Sequence, residues 1–222
     1  MVENLAGAGG SLAAEAAARA EADGHTLLVA GSSAVVVAPY LFPKLGFTPA
    51  SFLPVAMLGV GALVLAAHPS VPARTLQELI TYIRSNPGKV ALASGGNGSA
   101  GHLCGELFSQ LIEGRMLHVP YKGDGPAMND LLGGRVQLMF AAPNVVAPHA
   151  NSGRLRVMAV TSRDRHPSMP DTPTVRESIL KDFEYLGWIM VAFNSRAAEL
   201  YRELGYEVRS FSMGKRLGVN AD

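Results

Sequence analysis

The sequence contains a single cysteine, few aromatic residues and no excess of charge of either sign. Because Cys104 has no partner in the chain, an intrachain disulfide and a zinc site built on cysteines are excluded. The 19 basic and 18 acidic residues give a formal charge of +1, so no basic field is present to attract nucleic acid. Nucleic acid is therefore not an expected partner.

Long apolar runs and targeting signals are also scarce. The most apolar stretch, residues 52–67, is interrupted by Pro54, Gly59 and Gly61 and is shorter than the ~20 residues of a membrane-spanning helix, so we interpret it as buried strands. Residues 1–10 lack the charged and apolar regions of a secretory leader, which predicts that the chain as written stays in the cytoplasm. The six histidines have no metal-ligand spacing, so neither a metal nor a cofactor is expected.

Glycine, by contrast, is abundant, with 24 of 222 residues against an average of about 7%. The hydrophobic fraction of 48% is that of a globular protein, and the length suits one large domain or two small ones. We therefore expect much of the chemistry to rest on backbone amides in glycine loops.

Short apolar runs alternate with helical segments along the centre of the chain. Predicted strands cover residues 25–30, 63–67, 89–93, 117–120, 136–140 and 155–160, and predicted helices cover 12–22, 76–85, 100–113, 126–132 and 144–152. Ser11 and Thr75 are expected as helix N-caps, and Pro126 as a first helical residue. The alternation predicts an α/β fold with a largely parallel sheet, in which ligands bind outside the carboxyl ends of the strands.

The loop at residues 94–99 leaves a predicted strand and enters a helix. Within it, Gly96, Gly98 and Gly101 match the G-x-G-x-x-G fingerprint of NAD(P)-dependent oxidoreductases, but residues 118–122 lack the acidic group that binds the ribose. A structural turn and an anion-binding loop are the other interpretations. We favour the anion-binding loop, because exposed N–H groups at a helix N-terminus can hold a carboxylate without arginine.

Nucleophilic side chains in the same region have simpler structural explanations. Ser99 lies in a near match to the G-x-S-x-G elbow of hydrolases, with His102 close by, but Asn97 replaces the first glycine. Helix capping explains Ser99, and burial in a core explains Cys104, Trp188 and Met190. No catalytic residue is expected.

Seven segments have the most distinctive residue patterns of the sequence: residues 3–10, 23–28, 93–98, 118–123, 130–134, 155–162 and 170–174. In this order they resemble the Bug/TctC family, the solute receptors of tripartite tricarboxylate transporters. The resemblance implies an α/β fold like that of type II periplasmic binding proteins, with two lobes and a ligand cleft between them.

The same resemblance implies how the chain is divided. Residues 1–67 with 164–193 would form a first lobe, which is incomplete because the family's opening strand and first glycine loop would precede Met1, and residues 68–163 would form a complete second lobe. A protein of this kind is a periplasmic receptor rather than an enzyme. It binds a di- or tricarboxylate and delivers it to the membrane permease subunits of the transporter. A degraded fragment that binds weakly or not at all is the alternative.

The family's ligand-binding positions fall in three loops of this chain. They are Gly31, Ser32 and Ser33 in the first lobe, Ser94, Gly95, Asn97, Gly98 and Ser99 in the anion loop, and Tyr121, Lys122 and Gly123 in the neighbouring loop. Many family members carry an acidic residue where this chain has Ala141, and some use it to bind a ligand amino group. An amino-acid ligand is therefore less expected.

The tail, residues 194–222, resembles a different family. It looks like the C-terminal segment of GNAT acetyltransferases, in which the positions matching Asn194 and Tyr201 commonly lie near coenzyme A and the general acid. That family's pyrophosphate loop, Q/R-x-x-G-x-G/A, occurs nowhere earlier in the sequence. We therefore expect a fusion remnant; an acetyltransferase is the alternative.

Overall fold

The computed structural model describes residues 1–178 and the backbone of a strand at 187–195. The strands are β1 (Leu27–Gly31), β2 (Phe52–Ala62), β3 (Val64–Ala67), β4 (Ala91–Ser94), β5 (Leu117–Pro120), β6 (Leu138–Ala141), β7 (Arg156–Val160) and β8 (Gly187–Ser195). The α-helices are α1 (Ser11–Arg19), α2 (Ala38–Leu41), α3 (Leu76–Ser85), α4 (Ala100–Leu111), α5 (Asp124–Leu132), α6 (Pro143–Asn151) and α7 (Val175–Ser178), and a π-helical stretch (Ser33–Val37) leads into α2.

Five strands form one sheet in the order β5-β4-β6-β3-β7. Strand β4 runs parallel to β5 and β6, as the alternation of strands and helices predicts. Strand β3 is the exception, since Val64 pairs with Ala141 of β6 and with Val160 of β7, both antiparallel. The expectation of a largely parallel sheet is thus correct for β4, β5 and β6 and wrong for β3, which inserts between the two strands that α6 connects.

Both faces of this sheet are buried. On one face, Leu92 and Phe140 pack against helices α3 and α4 through residues such as Phe108, whose ring meets that of Phe140 edge to face with centroids 5.8 Å apart. On the other face, Ala93 and Met139 pack against α5 and α6. Successive strand residues point to opposite faces, so two helical layers enclose the sheet and fix the positions of the loops at its edge.

Local signals place helix α3 correctly and two other helix starts incorrectly. The Thr75 hydroxyl accepts a hydrogen bond from the Glu78 amide at 3.2 Å, which confirms the predicted N-cap. Helix α1, however, has Gly10 as its N-cap, at a φ of +95° that favours glycine, and ends at Arg19. Helix α5 begins at Asp124, so Pro126 is its third residue rather than its first.

Three further strands form a second sheet in the order β1-β8-β2. Strand β8 lies between the other two and is antiparallel to both. Helix α1 covers one face, where Ala14 and Leu28 join a small core with Phe47 and Phe52. The rings of Phe47 and Phe52 pack edge to face with centroids 5.4 Å apart.

Strand β2 corrects the expectation that residues 52–67 form buried strands. Strand β3 is fully buried, but Val55, Met57, Leu58 and Val60 are 45–55% exposed. The reason is position: β2 is an edge strand paired only with β8, and of its residues only Phe52 joins the small core that α1 and the stretch Ser33–Val37 build on this sheet. A continuous apolar run predicts a strand, but neighbouring elements decide whether it is buried.

Residues 64–67 belong to the five-stranded sheet, whereas strands β1, β2 and β8 form the other. The division of the chain into lobes stays a prediction. The GNAT-like tail lies outside the described residues from Arg196 onwards, and so do the side chains of Trp188 and Met190. Among the helices described, none is long and apolar enough to cross a membrane.

Candidate functional site

Two predicted site loops meet at the carboxyl ends of β4 and β5. The amide of Tyr121 donates to the carbonyl of Ser94 at 2.9 Å, and the amide of Gly123 donates to the carbonyl of Gly95 at 3.1 Å. Loops of this kind gather at one edge because the two strands are parallel. The structure therefore brings residues 94–99 and 121–123 into direct contact.

Internal hydrogen bonds fix the conformation of the 94–99 loop. The buried hydroxyl of Ser94 accepts from the amide of Gly96 at 3.2 Å, and the amide of Ser99 donates to the carbonyl of Gly96 at 3.1 Å. The amide of Gly98 donates to Nδ1 of His102 at 3.1 Å. Gly96 and Gly98 have φ values of +127° and +78°, a region in which a side chain would be strained.

The N-terminus of helix α4 leaves backbone N–H groups without a hydrogen-bond acceptor. Ser99 is the N-cap, since its hydroxyl accepts from the His102 amide at 3.3 Å, and the first helical bond runs from the Leu103 amide to the Ser99 carbonyl. Within the described residues, the amides of Asn97, Ala100 and Gly101 have no acceptor. The amides of Gly96, Gly98, Tyr121 and Gly123 are already paired, so at the start of α4 the N–H groups open to an anion are those of Asn97, Ala100 and Gly101.

Elements from the amino-terminal part of the chain approach the same loop. A Cβ added to Gly9 would lie 3.0 Å from the carbonyl oxygen of Asn97, and one added to Gly98 would lie 2.7 Å from the side chain of Leu41. The turn before α1 and the helix α2 thus pack against the 94–99 loop. Gly31, Ser32 and Ser33 lie at the end of β1 and the start of the helical stretch, and no hydrogen bond joins them to the other two loops in the described region.

The side chains of the 121–123 loop differ in how much they are constrained. The hydroxyl of Tyr121 donates to Asp130 at 2.7 Å, and Asp130 also pairs with Arg135 at 2.5 Å. Desolvation, followed by the bond to Asp130, raises the pKa of Tyr121, whereas the bonds from Tyr121 and Arg135 lower the pKa of Asp130. Lys122 is exposed, and none of the ion pairs in the described residues includes it, so its ammonium group is available to an anion.

Three residues near the site were missed by sequence reasoning as parts of it. His118 of β5 bonds to the Ser94 hydroxyl at 2.7 Å and stacks on His102, so both rings support the anion loop from beneath. The carboxyl of Asp124 lies against Gly95. The sequence signal for His102 was its position three residues after the N-cap Ser99. No group of three His, Cys, Asp or Glu side chains within residues 1–178 is placed to hold a metal ion.

The fold and the loops at the strand ends are those of an α/β solute-binding protein, and comparison with known proteins agrees. The sequence model of TctC, the tripartite tricarboxylate transporter family receptor, matches residues 1–213. Protein BugT of Bordetella pertussis is 40% identical over 194 residues, which are 86% of this chain and 59% of BugT. The chain belongs to the TctC family, which is a family of substrate-binding receptors.

Solved structures support the same assignment. The periplasmic binding protein BugD is 36% identical and superposes with a TM-score of 0.82, over 88% of this chain and 65% of BugD. MatC of Rhodopseudomonas palustris, solved with bound malate, is 34% identical with a TM-score of 0.79, over 86% of this chain and 65% of MatC. The chain thus spans somewhat less than two thirds of the length of these relatives.

The family assignment bears on the two enzyme functions that the sequence left open, an NAD(P)-dependent oxidoreductase and an acetyltransferase. The Gly96–Gly101 fingerprint does lie between a strand and a helix, but this loop is part of a receptor fold, and the comparisons do not support an oxidoreductase. An acetyltransferase is likewise not supported by them. The expected resemblance to the Bug/TctC family and the type II α/β fold are confirmed.

Proposed function

We propose that this chain is the ligand-binding part of a periplasmic receptor for small carboxylates, di- or tricarboxylates in particular. The observation that carries the proposal is the set of unpaired amides of Asn97, Ala100 and Gly101, together with the exposed Lys122 on the neighbouring loop that bonds to Ser94 and Gly95. Helix N-terminal amides bind carboxylates through their partial positive charge. Malate bound to MatC is a ligand of this chemical class.

The receptor would pass its ligand to the membrane permease subunits of a tripartite tricarboxylate transporter. The family supports this role, because its model is described as the receptor of such transporters. Gly31, Ser32 and Ser33 would contribute from the end of β1, and Ser94, Gly95, Gly98, Ser99, Tyr121 and Gly123 would shape the loops rather than supply charge.

Calorimetric titration of the chain with citrate, succinate and malate tests the proposal, with NADP as the competing ligand class. We expect at least one of the three carboxylates to bind and NADP not to bind. Tight binding of NADP without carboxylate binding would overturn the receptor function and favour a dinucleotide-binding protein. Absence of binding by all four ligands would identify the chain as a fragment that has lost the function.

Two lysine variants localise the binding. Lys122 follows the carboxyl end of β5, whereas Lys89 is an exposed lysine that precedes the amino end of β4. Lys122→Ala and Lys89→Ala change the net charge equally, so only the position differs. We expect Lys122→Ala to weaken carboxylate binding about threefold or more, since it removes a nearby cation, and Lys89→Ala to leave it unchanged.

A further inference from the structure

The carboxyl group of Asp124 lies on the glycine loop of the candidate site. Asp124 is the first residue of α5 and follows the loop whose Gly123 amide bonds to Gly95 at 3.1 Å. A Cβ added to Gly95 would collide with Oδ1 of Asp124 and would lie 3.3 Å from its backbone nitrogen. The carboxyl therefore occupies the space that a side chain at position 95 would fill, and glycine at this position is what admits it.

No cation in the described part of the chain compensates this carboxylate. None of the ion pairs there includes Asp124, and no hydrogen bond reaches its side chain. Although the residue as a whole is exposed, the contact with the loop desolvates the carboxyl and raises the pKa of Asp124 above its ordinary value. Since no hydrogen bond in the described residues uses the carboxyl oxygens, they are available to accept one from a ligand.

An unpaired carboxylate beside an anion site has two opposite effects on a ligand. It repels a second negative group of the ligand, and it attracts a hydroxyl or ammonium group that lies near the bound carboxylate. The Asp124 carboxyl touches Gly95, which is two residues before the unpaired amide of Asn97, so we take the donor to be a group on the carbon next to the bound carboxylate.

We propose that Asp124 is a specificity-determining residue, which accepts a hydrogen bond from a hydroxyl or ammonium group of the ligand and so selects substituted carboxylates over unsubstituted ones. This inference rests on the proposed function of the site. It identifies the ligand as a small carboxylate with a hydrogen-bond donor at the neighbouring carbon.

Succinate, L-malate and L-aspartate form a matched set that tests this selection. They share a four-carbon dicarboxylate skeleton and carry hydrogen, hydroxyl and ammonium, respectively, at C2. In calorimetric titrations of the full chain, we expect malate or aspartate to bind about tenfold or more tightly than succinate, because a hydrogen bond to a charged group contributes that much. Whichever of malate and aspartate binds more tightly shows whether the donor that Asp124 prefers is a hydroxyl or an ammonium group.

Two substitutions separate hydrogen bonding from charge. Asp124→Asn keeps an acceptor oxygen but loses the charge, so a hydroxyl preference is expected to persist in part and an ammonium preference to be lost. Asp124→Ala removes both and is expected to bind succinate several times more tightly than the unmodified chain, a gain that misfolding cannot produce. Asp171→Asn, at an exposed carboxylate away from the loops, is expected to change nothing.

The outcomes distinguish this inference from the function on which it rests. Equal affinity of the unmodified chain for all three ligands, or an unchanged preference in Asp124→Ala, would overturn the role of Asp124 while the receptor function stands. Failure of all three ligands and of citrate to bind would overturn both.

Discussion

The imidazole rings of His102 and His118 stack with their centroids 4.0 Å apart and their planes 26° from parallel. His118 is bonded to Ser94 at the base of the anion loop, and His102 accepts the amide of Gly98 at its far side. Glu106, one helical turn beyond His102, is the nearby acid, with its carboxylate 3.8 Å from Nε2 of His102. The pair thus supports both ends of the loop from helix α4 and strand β5.

The partial burial of His118 beside His102 makes folding stability depend on pH. Desolvation first, and then the neighbouring His102, lower the pKa of His118, while Glu106 opposes them. Below the ordinary histidine pKa of about 6.5, the unfolded chain therefore binds a proton that the folded chain resists, so the free energy of unfolding falls as the pH drops. At higher pH the group is neutral in both states and contributes no pH dependence.

Urea unfolding between pH 7.5 and 5 measures this effect. His118→Gln removes the titration and can still bond to Ser94, so we expect a shallower loss of stability on acidification than in the unmodified chain. His25→Gln, at an exposed histidine, is the control and is expected to leave the slope unchanged. Identical slopes for His118→Gln and the unmodified chain would contradict the assignment.

Glycine at position 101 is predicted to be required for the packing of α4 on the sheet. A Cβ at Gly101 would lie 2.7 Å from the carbonyl oxygen of Phe140 in β6, which is backbone and cannot swing away. We expect Gly101→Ala to lower the free energy of unfolding by about 1–3 kcal/mol, the usual cost of overpacking.

Gly125 provides the matched control, because it too is the second residue of a helix. An added Cβ there meets no atom within 4 Å. Gly125→Ala is therefore expected to be neutral or to stabilise by up to about 1 kcal/mol through helix propensity. Denaturant unfolding of both variants is the measurement, and an equal loss in both would show that the contact with Phe140 does not matter.

Local signals located two loops of the candidate site. The glycine run 94–99 and the cap Ser99 are neighbours in sequence, so turn and capping preferences alone locate the loop and the start of α4. The strand at residues 117–120 and the loop after it could be predicted from local sequence in the same way. Because the two strands were expected to be parallel, their loops were expected to meet at one edge of the sheet. The structure contains this contact, in the bond from Tyr121 to Ser94.

What sequence reasoning missed depends on contacts between distant residues. His102 and His118 lie on different elements, and nothing in either local pattern indicates that the rings stack. The carboxyl of Asp124 lies against Gly95, a contact between two loops that the sequence pattern around Pro126 does not indicate. The antiparallel insertion of β3 and the exposure of β2 are likewise decided by which elements pack beside them, rather than by their own residues.

Two helix caps allow the role of the α4 N-terminus in ligand binding to be separated from its role in stability. The hydroxyls of Ser99 and Thr75 accept amide hydrogen bonds at 3.3 and 3.2 Å, respectively, and each alanine variant is expected to cost about 1 kcal/mol of unfolding free energy. Only Ser99→Ala should also weaken carboxylate binding, because only α4 presents Ala100 and Gly101 to the site. If calorimetry shows that Thr75→Ala weakens carboxylate binding as much as Ser99→Ala does, the loss of affinity comes from reduced stability and not from the α4 N-terminus.

Cys104 is predicted to be a structural thiol without reactivity in the folded chain. It is fully buried in the core beneath α4, in the cluster that contains Leu92 and Phe108, and burial raises the pKa of its thiol far above the ordinary range. Since the thiolate is the reactive species, a thiol reagent such as dithiobis(nitrobenzoic acid) should react quickly with the chain in guanidinium and hardly at all with the native chain. Cys104→Ala should cost less stability than Cys104→Ser, because serine places a hydroxyl in an apolar core. Equal reaction rates in the native and unfolded chains would show that the helix opens readily and that the core over this face of the sheet is loosely packed.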